Sequence, residues 1–420
     1  MATRTQATPP LSTGTFISMP TISAAPRGTT KRSGGFWRDA FRPFYLGGSI
    51  FAALSVFMWL STWYHGYAPP ASTIAPLFWH VHEMVYGFAA AIIIGFLFTA
   101  ARNWTGLPLP AGAPLAIIFG LWAAARLGMY FAYGVTTAII DSLLLLIVAA
   151  VLARSFIRAR SYSAFPLTAV LILLAATNIT FHVAMLTSAK IAPMTPLHAG
   201  LFLVIMMELI IGSRIVPGFT TSALPGVRIL RSKPLNYATQ ALAALAFITH
   251  IAAAPAPITG TLALLAGVAA LVQLLGWNPL ATRKRPILWI LHVSYAWIPV
   301  GLILLGLASF GVWRFTPSAA IHAFAAGAIG GLILAMMTRT SLGHSGRIVT
   351  AGRCEIWMYV LVVLAVLCRV AAALAPNVPG VYKWGMTAAG IAWMAAFTTF
   401  AIAYAPMLLG RTRKQAHASA

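Results

Sequence analysis

The sequence predicts an all-α membrane bundle of about twelve transmembrane helices with both termini cytoplasmic, and three observations carry that prediction. Of its 420 residues 60% are hydrophobic and only 8% charged, whereas soluble domains carry about a quarter charged residues. Apolar runs of about 20 residues, the length that crosses a bilayer, recur from end to end. The basic residues, finally, gather on alternate connections between those runs.

The first element is a tail, residues 1–35, rich in Thr, Ser, Pro and Gly and without any apolar run. That composition predicts a disordered cytoplasmic segment and not a cleavable signal peptide. Twelve spans follow, at 44–63, 77–101, 113–133, 136–156, 165–187, 196–216, 236–252, 257–277, 286–307, 318–338, 356–374 and 384–408. The seventh is the shortest, and the longest connection follows the sixth. The spans make one transmembrane domain over 36–410, closed by a short tail at 411–420.

Sidedness follows from Lys and Arg. With the N-terminus inside, 23 of the 28 basic residues fall on the inner side, and only Lys190, Arg314 and Lys383 on the outer. Arg126 and Arg369 lie within spans. The net charge of +23 is therefore a topology signal and not the footprint of a nucleic-acid partner; the partner is the lipid bilayer. Cys354 and Cys368 share one span, about 21 Å apart along a helix at about 1.5 Å per residue. That is too far for a disulfide, and both read as filler.

Ten histidines against five acids is the unusual ratio. Polar groups at membrane depth are costly and mark function. His80, His82 and Glu83 open the second span from the outside, and His182 and His198 lie at the outer ends of the fifth and sixth. His250 ends the seventh there, and His322 opens the tenth. Imidazole is a common ligand of iron and copper, so this outer layer is where a metal site would be built. His82 and His322 follow Pro76 and Pro317 by similar spacings. Each heads a rib of small residues, Gly87, Ala91 and Gly95 on one and Ala323, Gly327 and Gly331 on the other. The ribs either bring backbones close or leave flat space for a porphyrin. The two histidines are candidate axial ligands of one non-covalent haem, or else helix-end caps at the interface. His80, Glu83, His182 and His198 are candidates for a copper site with His82 and His322, and Arg126 for a haem propionate or an ion pair with Glu208. His292 pairs with Tyr295 or ligates. No set of catalytic residues can be named, and no CxxCH, phosphate loop or dinucleotide fingerprint is present.

Six stretches in order resemble one family. They are Phe41-Arg42-Pro43-Phe44, Trp79-His80-Val81-His82-Glu83-Met84 and Asn103-Trp104-Thr105-Gly106, then Arg214 to Thr220, His292 to Trp297 and Met337 to Arg347. Together they resemble the NnrS family of bacterial membrane proteins, from the first span to the last. The resemblance implies a haem- and copper-containing inner-membrane protein linked to nitric oxide, nitrosative stress and denitrification, with nitric oxide or dinitrosyl-iron species as ligand and an unspecified electron donor. It carries over no residue roles. A transporter of a metal or small metabolite, or a haem-binding sensor without turnover, are the alternatives.

Overall fold

The computed structural model describes residues 35–67, 74–312 and 315–410, apart from the side chain of Ser163. The expectations for the two terminal tails lie outside these residues, except at Gly35. Among the described residues there are twelve long helices and no strand. They are α1 (Phe41–His65), α2 (Pro76–Thr105), α3 (Ala113–Phe131), α4 (Val135–Arg158), α5 (Phe165–Leu186) and α6 (Met194–Ala223). The second half has α7 (Lys233–Ile251), α8 (Ala256–Gly276), α9 (Pro286–Ser309), α10 (Pro317–His344), α11 (Arg353–Leu374) and α12 (Pro379–Leu408). With lipid unable to hydrogen-bond the backbone, helices satisfy every interior N–H and C=O within themselves.

The starts and stops follow local chemistry. Proline stands in the first turn of α2, α3, α5, α7, α8, α9, α10 and α12, where its missing N–H costs nothing. Ser232 and Thr316 cap α7 and α10, accepting from the backbone N–H of Leu235 and Ala319. Gly66 and Gly106 end α1 and α2 at φ of 69° and 67°, the left-handed conformation that favours glycine.

Several helices outrun their apolar runs. The sixth run ends at 216, yet α6 passes through Pro217 to Ala223, and α10 continues past 338 to His344. Hydropathy marks where lipid ends, not where backbone hydrogen bonding ends. Arg339, just past the apolar run of α10, packs its guanidinium 3.8 Å from the centroid of the Phe219 ring on the extension of α6.

Eleven of the described helices are long and apolar enough to cross a membrane; α7 is the exception. Its contacts nonetheless run the length of its neighbours. Asn236 near its start accepts a hydrogen bond from Gln273 near the end of α8. His250 near its end sits with ring centroids 5.9 Å from His198, in the first turns of α6. So α7 lies antiparallel to both, and burial against them offsets its weaker lipid affinity.

The chain closes on itself. Arg42 at the start of α1 donates to the carbonyls of Met407 and Leu408 at the end of α12, at 2.9 and 3.2 Å. Tyr64 at the other end of α1 meets Thr387 near the start of α12 at 2.5 Å. The two ends of the described chain thus lie on one face, the proximal face below; the opposite face is distal. Helices α2, α9 and α10 are the most deeply buried spans. Both α2 and α10 carry a π-helical segment, Glu83–Ala89 and Ala323–Gly330, each directly after one of the distal histidines. The wide turns of a π segment change which way side chains point and are frequent at functional sites.

Candidate metal centre

Four helices converge on a buried polar cluster near the distal face. α2 supplies His82 and Glu83, α3 Arg126, α4 Asp141, and α5 Asn178 and His182, and all six are buried. Asp141 is the hub. One of its oxygens accepts from Arg126. The other accepts from Asn178 Nδ2 at 2.8 Å and lies 3.1 Å from His182 Nε2 and 3.2 Å from His82 Nε2. Arg126 also donates to Glu83 Oε1 at 2.6 Å. Behind His182, the Tyr133 hydroxyl stands 3.2 Å from Nδ1.

The local sequence explains why this cluster can exist in a membrane. Gly87, one π turn past Glu83, has no side chain. A Cβ there would lie 3.0 Å from Arg126 Nη1 and 3.1 Å from Glu83 Oε2, so the glycine leaves the guanidinium its room. The Gly87 carbonyl in the π segment accepts the indole N–H of Trp122 at 2.9 Å, and Trp122 lies one turn before Arg126.

Charge counting states what the cluster can hold. Two carboxylates face one guanidinium, which leaves one negative charge uncompensated at membrane depth. The hydrogen bonds say where the missing positive charge belongs. His82 Nδ1 is 2.9 Å from Glu83 Oε1, so that nitrogen carries a proton. Asn178 donates through Nδ2 to Asp141, which turns its carbonyl oxygen to His82 Nε2 at 2.9 Å. Nε2 therefore faces two oxygen acceptors, and either a second proton or a metal ion completes the balance there.

The metal alternative is sterically reasonable. Ligand atoms of His82, Asp141 and His182 all lie within 4.8 Å of one another. A tetrahedral ion with bonds of about 2.0–2.1 Å holds its ligand atoms about 3.4 Å apart. The carboxylate oxygen already stands 3.1 and 3.2 Å from the two imidazole nitrogens. Glu83 sits behind His82 on the nitrogen away from the group, the arrangement in which a carboxylate orients a metal-binding histidine. With nitrogen and oxygen donors the set suits a borderline divalent ion such as copper.

Of the sequence candidates, the structure brings His82, His182, Glu83 and Arg126 together. Arg126 pairs with Glu83 and Asp141 and not with Glu208, whose carboxyl lines an apolar cavity of about 80 Å³ with Tyr45, Met207 and Met336. His82 and His322 make different bonds: His82 sets Nδ1 on Glu83 and Nε2 between Asn178 and Asp141, while His322 bonds within its own helix. Of the two roles open to the glycine ribs, close packing is the one they fill. Phe44 and Tyr45 cover Gly95, Trp297 covers Gly327, and Ser294 covers Gly331. His80 is stacked on Trp59, 4.5 Å between centroids. His322 places Nδ1 2.8 Å from the carbonyl oxygen of Ser318, one helical turn before it. His198 faces His250 elsewhere on the distal face. Nor do His292 and Tyr295 pair. His292 reaches Leu288 O and Thr220, and Tyr295 donates to Gln273 at 2.9 Å.

Asp141, the hub, was not among the sequence candidates. A signal was available, because an acid six residues inside the fourth span stands at the depth that His82 has in the second.

A family model described as NnrS protein matches residues 35–411, which covers all the described residues. The chain belongs to the NnrS family. No curated protein matches it at a significant level. The matched region includes every member of the buried cluster, so the polar convergence lies inside the family's own region and not in an appended segment.

Proposed function

We propose that this NnrS-family chain is a haem- and copper-binding protein of the bacterial inner membrane, both termini cytoplasmic, that handles nitric oxide or its iron complexes. The observation that carries the reading is the buried His82–Asp141–His182 group with one negative charge to balance. A metal ion in that seat supplies a coordination position for a small ligand and one-electron exchange. The chain's own residues do the rest. His82 and His182 offer nitrogens, Asp141 an oxygen. Glu83 and Asn178 fix the orientation of His82 and Asp141, and Arg126 holds the two carboxylates at their separation. The surrounding apolar spans exclude bulk water, which strengthens each of these interactions.

For haem, His322 is the better supported donor. With Nδ1 donating to the Ser318 carbonyl, its Nε2 keeps a free lone pair. The gain from a buried metal is affinity without competition from water, and the family membership is what ties such a centre to nitric oxide.

The test is metal analysis and an absorption spectrum on detergent-purified protein, for wild type and for His82→Ala, Asp141→Asn, His182→Ala and His322→Ala. The expected result is copper lost in the first three, with haem absorption altered only by His322→Ala. Wild-type protein with neither copper nor a Soret band would overturn the proposal.

A further inference from the structure

A second cluster on the distal face has the opposite electrostatic character. Arg369, near the distal end of α11, is mostly buried, with Nη2 donating weakly to Ser318 Oγ at 3.5 Å. Its Nη1 is buried with no partner. The chain has five acidic residues in all, and each is accounted for elsewhere. Asp39 pairs with Arg42 and Arg102 on the proximal face. Glu83 and Asp141 hold Arg126. Glu355 accepts from the Gly352 N–H at 2.8 Å and from the Tyr404 hydroxyl at 2.7 Å. Glu208 lines the apolar cavity between α1, α2, α6 and α10. None of the five acidic side chains balances Arg369.

The surroundings add a second unpartnered polar atom. His80 of α2 lies within electrostatic reach of Arg369, and so does His322. The Nδ1 of His80 is buried with no partner, and its ring is stacked on Trp59 at an interplanar angle of 17°. That stack makes a flat wall. His322 is not a donor here, because its N–H is taken by the Ser318 carbonyl. A guanidinium at membrane depth with an unmatched N–H is costly to keep, and so is a buried imidazole nitrogen without a partner.

We propose that Arg369, with His80 as second donor, binds a small planar monoanion. One uncompensated positive charge calls for one negative charge, and the planar fork of a guanidinium matches the two oxygens of a carboxylate or of an oxyanion of that shape. The ligand chemistry is the same whether the anion is free or is the acid side-arm of a larger bound molecule. The inference does not depend on a metal at Asp141 or on any redox activity.

The test uses the full chain in nanodiscs with formate and nitrite as probes. Calorimetric titration is run on wild type, Arg369→Gln, Arg369→Lys and His80→Gln, and small molecules extracted from each are identified by mass spectrometry. If the anion is free, both probes bind wild type saturably. Binding then weakens by about tenfold or more in Arg369→Gln, as expected for a lost charge-assisted pair. Arg369→Lys and His80→Gln fall in between, and they carry the comparison if Arg369→Gln does not fold. If the anion is a side-arm, neither probe binds, and wild type retains an acid-bearing molecule that Arg369→Gln loses and Arg369→Lys partly keeps. Wild type that binds neither probe and carries no such molecule overturns the proposal, with water as the partner of both donors. Binding undiminished in both Arg369→Gln and His80→Gln overturns it equally.

Discussion

Replacing Arg126 by Met removes the guanidinium that faces both Glu83 and Asp141. The side chain of similar length keeps the volume filled, so the cost is electrostatic. Two buried carboxylates then stand against a single imidazole or metal, and the negative charge left for it to balance rises from one to two. Removing one partner of a buried ion pair costs about 3–5 kcal/mol, and Arg126 serves two acids, so the upper end is expected. Adding Glu83→Gln returns the count to one uncompensated charge, the value in the native protein. The double variant therefore recovers a large part of the loss, with a coupling of about 1–3 kcal/mol in the cycle. The assay is reversible unfolding of the detergent-solubilised protein in SDS, followed by helical circular dichroism, for wild type, both single variants and the double. Single-variant losses that add within about 0.5 kcal/mol would refute the idea that a charge count governs this cluster.

Two further outcomes follow from packing and topology. Gly327→Ala would place a Cβ 2.6 Å from the Cβ of Trp297 and is expected to cost about 1–3 kcal/mol in the same unfolding assay. Gly120→Ala on the exposed face of α3 meets nothing within 4 Å and is expected to be neutral or stabilising by about 0.5–1 kcal/mol; equal effects would contradict the packing role of Gly327. For sidedness, single cysteines placed at Lys190 or Lys383, in a background with Cys354 and Cys368 replaced by serine, should label with a membrane-impermeant maleimide in intact cells. One at Lys284 should label only after permeabilisation, and the reverse pattern would invert the topology.

The spans were legible because lipid imposes a one-dimensional rule: a helix must stay apolar for about 30 Å, whatever it packs against. That rule placed eleven helices directly. The twelfth, α7, was legible only as a weak run, since its place is held by Asn236–Gln273 and by packing between α6 and α8. The distal layer of histidines was also readable, because depth follows from position along a span. Which members of that layer meet was not. Rotation of each helix about its axis decides it, and the two π segments reset that rotation at Glu83 and at Ala323, directly after His82 and His322. A straight 3.6-residue period carried through these points cannot tell which neighbours those helices present their histidines to. Hence His82 and His322 look matched by spacing from Pro76 and Pro317, while the folded chain turns His82 to Asp141 and His322 to its own Ser318 carbonyl.

By itself, then, the sequence determined the apolar character, the number and order of the helices and the place of each polar residue along its helix, all of which depend only on position along the chain. The tertiary structure alone decided that Asp141 is the hub, that Arg126 answers Glu83 and not Glu208, and that Arg369 has no acid to answer it. Those outcomes depend on azimuth and neighbour, which in a helix bundle are set by how small residues and aromatic rings fit between spans.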